Sequence, residues 1–383
     1  MNVLVIQRIL LKRENFEKLK MASELLLNLN FKSNHSTRSK TITDMKKILL
    51  ILSLLTIFSS VFSQNNAEHI STGLKGAYLG QKLPGLSPEL FAPHIISNGL
   101  ANRDVAISPD GTEMYFTMHT AKFQYAIIVC SKLVNGSWIR PEIVPFATDS
   151  RYKYLEPALS YDGNKLFFVS DMPKDGEGEP IAEDIWVVDR KNDTWGEPYN
   201  IGAPVNYEGG DFFPSLTKDG TLYFTRNELK GRISNIYRSR LVDGKYSTPE
   251  KLPAQINCGT TRFNAYVAPD ESFVVVPAVG VEKDYRGVHY YIVFRNEDDT
   301  WQEPIALSSE INTPKGTGWS FYISPDKKYI FYMGTKPLPA DKQPKSLSIE
   351  FLHKFSAMPQ NGNSDIYWID AKIIEDLKAQ AKK

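Results

Sequence analysis

Three acidic residues, Asp104, Glu156 and Asp211, occupy similar places ahead of a turn motif that recurs along the chain. Asp104 and Glu156 stand four residues before their turns, and Asp211 stands six residues before its own. Paired carboxylates several ångströms apart can share the general acid and base roles in cleavage of a glycosidic bond. If the fold brings these acids together, they are the candidate catalytic residues of a glycoside hydrolase.

Basic, aromatic and amide side chains occupy neighbouring or corresponding places and are candidate ligand-binding residues. They are Arg103, Tyr154, Arg262, Asn264 and Trp319. A sialidase would need three converging arginines, for which Arg103, Arg151 and Arg262 are candidates. The competing interpretation is structural, with these polar side chains hydrogen-bonding backbone amides and water in a polar channel. The sequence favours the structural interpretation, because perturbed sites cannot be identified from sequence alone.

The elements that position these residues are tandem repeats, each marked by a tetrapeptide such as Ser108-Pro109-Asp110-Gly111. The tetrapeptides start at residues 108, 160, 217, 268 and 324, which gives spacings of 52, 57, 51 and 56 residues. Ser first, Pro second and Gly fourth are the preferences of a type I turn. An aromatic and β-branched run of strand length follows each copy, so every repeat is predicted to contain a tight β-hairpin.

Two further strands are predicted in each repeat. The third strands are expected at 126–133, 184–189, 235–241, 289–294 and 365–370. The fourth strands begin with an aromatic residue and have proline three residues later, at Trp138 to Pro141, Trp195 to Pro198, Tyr246 to Pro249 and Trp301 to Pro304. Proline is tolerated on an outer edge strand, which need not donate every ladder hydrogen bond.

The fifth repeat lacks a fourth strand, and Leu90-Phe91-Ala92-Pro93 matches the missing pattern. The predicted fold is therefore an all-β propeller of five four-stranded blades, with the last blade closed by an N-terminal strand. Closure leaves only short, protected strand edges. A short C-terminal helix is expected over Ile373 to Lys383.

The repeats resemble the TolB-like propeller repeats of exported bacterial proteins, a WD-like family marked by a Ser-Pro-Asp-Gly turn. The resemblance covers Leu90 to Asp370 and implies the fold rather than an activity. Propellers of this family often have six blades, so six is the alternative to the five counted.

A secretory signal peptide is expected at residues 45–63. Met45, Lys46 and Lys47 precede the apolar run Ile48 to Phe62, which at 15 residues is shorter than the roughly 20 residues of a spanning helix. Residues 1–44 are expected to be a misassigned start or a disordered extension, 64–89 a lead segment and 90–383 a single propeller domain. The mature chain is then secreted or periplasmic, with no stable membrane span.

Composition argues against several classes of function. Residues 1–63 hold ten basic and four acidic residues, so 35 basic and 40 acidic residues remain, a net charge of −5 that disfavours nucleic-acid binding. Cys130 and Cys258 lie in non-adjacent repeats and are expected to be packing residues. No zinc-protease, nucleophile-elbow or phosphate-loop motif occurs, and the acidic loop Asp175 to Glu179 lacks the ligand spacing of a calcium loop, so no cofactor or metal is expected.

The loops that join one blade to the next, and second strands to third strands, are long and dissimilar. They are expected on one face, the variable face, opposite the turn face that carries the tetrapeptides. Variation on a rigid scaffold is where binding usually resides. The sequence favours an exported, non-enzymatic protein whose variable face and channel mouth bind a protein or glycan at the cell envelope. The alternatives are a glycoside hydrolase or sialidase-like enzyme and an assembly module of an envelope or secretion complex.

Overall fold

The computed structural model describes residues 70–229, 233–283, 287–313 and 318–381. The expected signal peptide and the residues before it lie outside this part of the chain. The described residues form five antiparallel sheets of four or five strands, and each sheet is one blade of a propeller. The all-β fold and its five blades are therefore as predicted.

The blades follow one another along the chain, and each has its innermost strand first. Blade 1 contains Ala101–Ile107, Glu113–His119, Ala126–Val134 and Glu142–Ile143. Blade 2 contains Tyr154–Leu159, Lys165–Ser170, Asp184–Lys191 and Tyr199–Asn200. Blade 3 contains Asp211–Leu216, Leu222–Glu228, Ile233–Ser239 and Glu250–Lys251. Blade 4 contains Thr261–Arg262, Tyr266–Val267, Phe273–Val279, His289–Phe294 and Ile305–Ala306. Blade 5 contains Phe321–Ile323, Tyr329–Gly334, Asp365–Asp370 and Glu89–Leu90.

The tetrapeptide turns connect the first and second strands, as predicted. In the first copy the Gly111 N–H donates to the Ser108 carbonyl at 2.8 Å, and the Ser108 hydroxyl donates to Asp110 at 2.6 Å. Gly111 has a φ of +72°, a left-handed conformation that glycine adopts at no steric cost. The turn serine and aspartate thus bond to each other.

The predicted fourth strand of blade 1 is divided in two. Trp138 pairs with Leu133 in a short outer strand of the same sheet, and a second outer strand, Glu142–Ile143, follows directly after Pro141. Trp195 and Tyr246 lie in similar short strands, and Trp301 makes an isolated bridge. Proline has no N–H to donate, so it marks the crossing between the two outer strands rather than a place within a strand.

The ring closes with a strand from each end of the described chain. Glu89 pairs with Trp368 and Leu90 pairs with Tyr367, which confirms the predicted closure of the last blade. The next residue, Phe91, is fully buried with its ring centroid 5.0 Å from that of Trp368. Blade 5 therefore depends on residues almost the whole length of the domain apart.

The lead segment also packs on the propeller from Ile70 onward. Ser71 pairs with Ile139 in blade 1, and the Trp138 indole donates to the Gly76 carbonyl at 2.8 Å. Tyr78 continues to blade 5, where its ring lies 5.8 Å from that of Trp368. This segment therefore braces the contact between the first and last blades.

Two short helices lie near the C-terminus. Helix α2, Lys372–Ala381, follows blade 5 where a helix was predicted. Helix α1, Ile349–Ser356, was not predicted and lies in the long connection between the second and third strands of blade 5. The Ser348 hydroxyl caps α1 by accepting from the Phe351 N–H. No helix in the described part of the chain is long and apolar enough to cross a membrane.

The hydrophobic core lies between blades rather than within one centre. Separate buried clusters fill the contacts of blades 5 and 1, 1 and 2, 2 and 3, 3 and 4, and 4 and 5. Cys130 and Cys258 are both buried and unpaired with each other, in different clusters. Each blade is consequently stabilised by both of its neighbours.

Removal of the closing aromatic should weaken the ring. We expect Phe91→Ala to lower the free energy of unfolding by about 3–5 kcal/mol, because it leaves a cavity against Trp368 and Phe331. Urea denaturation followed by tryptophan fluorescence measures this change. Leu86→Ala, at a side chain that is 53% exposed, is the control and should have little effect. Equal effects of the two substitutions would contradict the closure described above.

Candidate functional site

The innermost strands carry a repeated irregularity at the channel axis. Asp104, Glu156, Phe213 and Asn264 all have φ between +51° and +57°, although none is glycine. The pairing register with the second strand shifts at this place in blades 1, 2 and 3, which is a β-bulge. Each of the four lies four residues before the tetrapeptide of its own repeat. Strain of this kind persists only where surrounding contacts fix it.

The backbone N–H at each bulge is bonded by the preceding blade. The Glu156 N–H donates to the Thr117 hydroxyl of blade 1 at 2.9 Å, and the Asn264 N–H donates to the Thr225 hydroxyl of blade 3 at 2.8 Å. The Asp104 N–H donates to the Ser320 hydroxyl of blade 5 at 3.1 Å. A hydroxyl group from one blade thus accepts a hydrogen bond from the strained bulge residue of the next blade.

Blade 2 departs from this rule because Val169 occupies the place of Thr117 and Thr225. Val169 pairs with Leu155 as Thr117 pairs with Arg103, and valine has no hydroxyl. The Glu156 carboxylate replaces it and accepts from the Phe213 N–H of blade 3 at 2.7 Å. Glu156 therefore joins two blades, which is a structural role for one of the candidate catalytic acids.

Arg103 brings two of the three candidate acids together. Its Nε lies 2.7 Å from Asp104, and its Nη2 lies 2.7 Å from Glu156. Asn264 donates to the same Glu156 oxygen at 3.4 Å. Arg103, Asp104 and Glu156 are 4%, 4% and 7% exposed, so this network closes the channel partway along its axis instead of ringing an open mouth.

Glu156 is the most perturbed acid of this network. Burial raises its pKa to about 8, and the neighbouring Asp104 carboxylate acts in the same direction while Arg103 opposes them. Burial thus disfavours the ionised form of Glu156 relative to that of an ordinary glutamate. A buried acid of this kind, near a second carboxyl group, is a feature of both catalytic sites and structural networks.

Aromatic rings lie on the variable-face side of Arg103. Its guanidinium carbon is 5.9 Å from the ring centroid of Phe123 and 5.8 Å from that of Trp319. Phe123 also stacks on His119, and Trp319 meets Phe263 edge to face. All four rings are half-buried. Cation–π contacts therefore hold Arg103 from this side of the channel.

A cavity of about 780 Å³ lies on the other side of the network. Asp104, Glu156 and Phe213 form its floor, and its rim includes turn residues such as Tyr161 and Pro269 together with residues of α2. The sequence predicted a binding mouth on the variable face. The structure instead places this cavity on the turn face, because the inner strands run from the axial network down to the tetrapeptides. We call it the turn-face cavity.

The other predicted site residues take structural places. Asp211 is fully buried and bonds Arg226 at 2.7 Å and the Tyr207 N–H, so it does not join Asp104 and Glu156 on Arg103. Arg262 is buried and donates to the Cys258 carbonyl and to Asn235. Tyr154 packs in the core of blades 1 and 2. Arg151 is exposed and pairs with Asp149, so the three arginines do not share one ion-pair network. That any of these residues binds a ligand stays a prediction.

Glu156 gives a test of the junction between blades 2 and 3. Glu156→Ala should lower the free energy of unfolding by about 1–3 kcal/mol, because the buried Phe213 N–H loses its acceptor. Adding Val169→Thr should restore about 1 kcal/mol by supplying the hydroxyl that the neighbouring blades already use. Denaturant titration of the single and double variants measures both effects. Val187→Thr, at another buried valine of blade 2, is the matched control, and equal rescue by the two threonines would contradict the junction.

The pKa of Glu156 also predicts how stability varies with pH. The unfolded chain releases this proton near pH 4.5, whereas the folded chain keeps it to about pH 8, so the free energy of unfolding should fall as pH rises through this window. Burial raises the pKa of Asp211 to about 6 and that of Asp365 to about 7, which act in the same direction. Thermal melts of the wild type and of Glu156→Gln across this pH range measure the effect. The contribution of Glu156 is the difference between the two proteins in how stability changes with pH. Parallel pH profiles would disprove it.

No family model matches the chain, and no curated protein matches it. Solved structures that are similar include a prolyl endopeptidase. It has 12% identity and a TM-score of 0.33, and the match covers 63% of this chain and 33% of the endopeptidase chain. The present chain thus spans about a third of that relative. A family 117 glycoside hydrolase of the marine bacterium Zobellia galactanivorans has 13% identity, a TM-score of 0.42 and coverage of 76% and 88%. A GH43 endo-arabinanase from Bacillus licheniformis has 12% identity, a TM-score of 0.39 and coverage of 70% and 92%. The five-bladed propeller itself is established by the strand pairing.

Proposed function

We propose that the chain is an exported, non-enzymatic β-propeller whose turn-face cavity holds an apolar, cation-tipped segment of a partner protein at the cell envelope. The observation that carries this proposal is the contrast between the apolar walls of the cavity and its acidic floor. Export is supported by the signal-peptide pattern at residues 45–63.

The walls of the cavity suit an apolar ligand. They are formed largely by proline, aliphatic and aromatic side chains, among them Pro157, Leu159, Pro214, Phe273, Phe321 and Ile374. Ligand cavities are typically about 300–1,000 Å³, lined mainly by apolar groups with a few polar groups that fix orientation. A volume of about 780 Å³ has room for several amino-acid side chains.

The hydroxyl groups in the walls argue for a peptide rather than a glycan. Ser160 and Ser324 donate to the aspartates of their own turns, and Ser215 accepts from the Val267 N–H. The Tyr322 hydroxyl bonds both backbone groups of Ile107. A sugar would therefore have to compete with these internal hydrogen bonds for the wall hydroxyl groups, which costs free energy.

The floor favours a positively charged tip. Asp104 and Glu156 present two carboxyl groups against the single guanidinium of Arg103. A lysine, arginine or N-terminal ammonium at the floor would stabilise the ionised form of Glu156 and displace its proton. Because that proton leaves on binding, affinity should increase with pH up to the pKa of about 8.

Glycoside hydrolysis is the second candidate function. Burial raises the pKa of Glu156 next to Asp104, and an acid with a raised pKa beside a second carboxyl group is what glycosidic cleavage requires. Both residues line the turn-face cavity, so a bound sugar could reach them. Against this candidate, both carboxyl groups bond Arg103, and Glu156 also bonds the Phe213 backbone. The third predicted acid, Asp211, bonds Arg226 instead.

Short labelled peptides test the proposal. Fluorescence anisotropy with apolar peptides that end in lysine, norleucine or glutamate should show the tightest binding for lysine. Glu156→Gln should weaken binding of the lysine peptide about tenfold or more, because a hydrogen bond to a charge is lost. Ala158→Phe, which fills the cavity, should abolish binding of all three peptides. Asp149→Asn, outside the cavity lining, is the control.

Two results would overturn the proposal. One is equal affinity for the three peptides, or binding that Ala158→Phe leaves unchanged in a folded variant. The other is turnover of a glycan panel by the wild type that is lost in Glu156→Gln and in Asp104→Asn while their melting curves stay normal. The second result would establish the hydrolase candidate.

A further inference from the structure

The turn-face cavity is not symmetric around the channel axis. Blades 1, 2 and 3 line it only with residues of their innermost strands and of the turns that follow these strands. Blade 4 also contributes Phe273 and Phe294, which lie on strands further from the axis, and blade 5 contributes Asp370, which leads into α2. The cavity therefore extends outward between blades 4 and 5, and we call this extension the lateral arm.

Aromatic side chains line the lateral arm on the blade 4 side. Phe273 begins one strand of this blade, and Phe294 ends the neighbouring strand directly opposite it. Their rings meet edge to face with centroids 6.1 Å apart. Phe294 is 2% exposed, whereas Phe273 is half-buried, so part of Phe273 remains accessible. Because aromatic rings interact favourably with a further ring in offset or edge-to-face arrangements, the arm suits an aromatic side chain.

Helix α2 forms a second wall of the lateral arm. Ile374 lines the cavity and packs against the same core cluster as Phe273 and Phe294. No residue of α2 is fully buried, so half-buried side chains hold the helix on the propeller. Ile373 packs against the same cluster from outside the cavity lining. A ligand in the arm would therefore cover Ile374 and leave the contacts of Ile373 unchanged.

The polar side chains beside the arm have partners or lie in solvent. Ser272 donates to Asp270 at 2.6 Å, and Asp270 forms an ion pair with Lys327 at 3.6 Å. Glu375 and Lys378 of α2 are exposed. An apolar ring would enter the arm without competing for these interactions, whereas a sugar or an acidic group would have to compete for them.

We propose that the partner segment carries an aromatic residue near its positively charged tip, and that this residue occupies the lateral arm between Phe273 and Ile374. This partner chemistry rests on the proposed function, since the tip has to lie against the acidic floor of the same cavity. Buried aromatic anchors contribute much of the binding free energy at protein interfaces. The floor then selects the charge of the tip, and the arm selects the residue that follows it.

The fold also predicts the spacing between the tip and the aromatic residue. The floor lies at the level of Asn264, which donates to Glu156, whereas Phe273 lies level with Ala268, whose N–H donates to the Phe273 carbonyl. Asn264 and Ala268 are four residues apart, about 13 Å of strand, and the third strand lies about 10 Å further from the axis. The resulting distance of about 16 Å would need about five extended residues. Because the two side chains cover part of it, we expect the aromatic residue about three residues from the tip.

A position scan with labelled, leucine-based peptides that end in lysine tests the lateral arm. One phenylalanine replaces leucine in each peptide, at every place from the first to about the sixth residue before the lysine. Fluorescence anisotropy should show the tightest binding with phenylalanine about three residues from the lysine. That peptide should bind about fivefold more tightly than the all-leucine peptide, because a ring packs better against Phe273 than leucine does.

Variants of α2 locate the phenylalanine. Ile374→Ala should reduce the ratio of affinities for the phenylalanine and leucine peptides from about five to about two, because the ring loses its second wall. Ile373→Ala removes the same side chain outside the cavity lining and is the matched control that should keep the ratio. Ile374→Trp, which fills the arm, should remove the ratio but keep the preference for a lysine tip over norleucine. It decides the question if Ile374→Ala does not fold.

The outcomes separate this proposal from the proposed function. Affinity that does not depend on the position of phenylalanine, or equal ratios in Ile374→Ala and Ile373→Ala, would overturn the lateral-arm site while the lysine preference stands. Binding of none of the peptides would overturn the proposed function and the lateral-arm site together.

Discussion

The left-handed bulge at the axis creates a constraint that the rest of the propeller has to meet. Each bulge turns a backbone N–H away from its own sheet and into the interior, where an unpaired donor is costly. The preceding blade supplies the acceptor, through Thr117, Thr225 or Ser320. Because blades 5, 1, 2 and 3 each complete the hydrogen bonding of the blade that follows, these blades cannot be positioned independently of one another.

This constraint also determines the chemistry of the central channel. Blade 2 has valine where blades 1 and 3 have threonine, so a carboxylate enters the axis to reach the Phe213 N–H. That carboxylate requires a partner, and Arg103 provides it together with Asp104. The resulting network of Arg103, Asp104 and Glu156 lies between the aromatic rings on the variable-face side and the turn-face cavity. The valine at this repeated position is thus linked to a channel with aromatic rings on one side of the network and the turn-face cavity on the other.

Much of the fold could be predicted because it is encoded locally. The tetrapeptide turns and the aromatic runs after them identify each hairpin, and the pattern at Leu90 identifies the closing strand. The fourth strands were predicted in part, since Trp138 and Trp195 do lie in short outer strands, but a second outer strand that follows the proline was missed in each blade. Helix α1 was missed within a connection that resembled a loop. Its signals are the Ser348 cap, an acidic first turn and basic residues in the last turn.

The site was less predictable because its contacts join distant repeats. Counting back from the turns located Asp104, Glu156 and Asn264, but it could not show that Arg103 pairs with both acids while Asp211 pairs with Arg226. Left-handed backbone is uncommon at Glu and Phe, so nothing local indicated the bulge at Glu156 or Phe213. The threonine acceptors had a detectable signal, since Thr117 and Thr225 occupy the same place after their turns and Val169 breaks the pattern.

Blade 5 combines a strand from the N-terminal part of the domain with three strands from its C-terminal part, and this affects how the chain folds. Glu89 and Leu90 are made long before their partners Trp368 and Tyr367, which lie in the last blade. Until then, Phe91 has no pocket and the first and last blades each expose an apolar side. Pairing over such a separation carries a large loop-closure entropy, which slows this step. Ring closure therefore depends on residues that are made late, and a polypeptide cut short before Asp365 lacks the strand with which Glu89 and Leu90 pair.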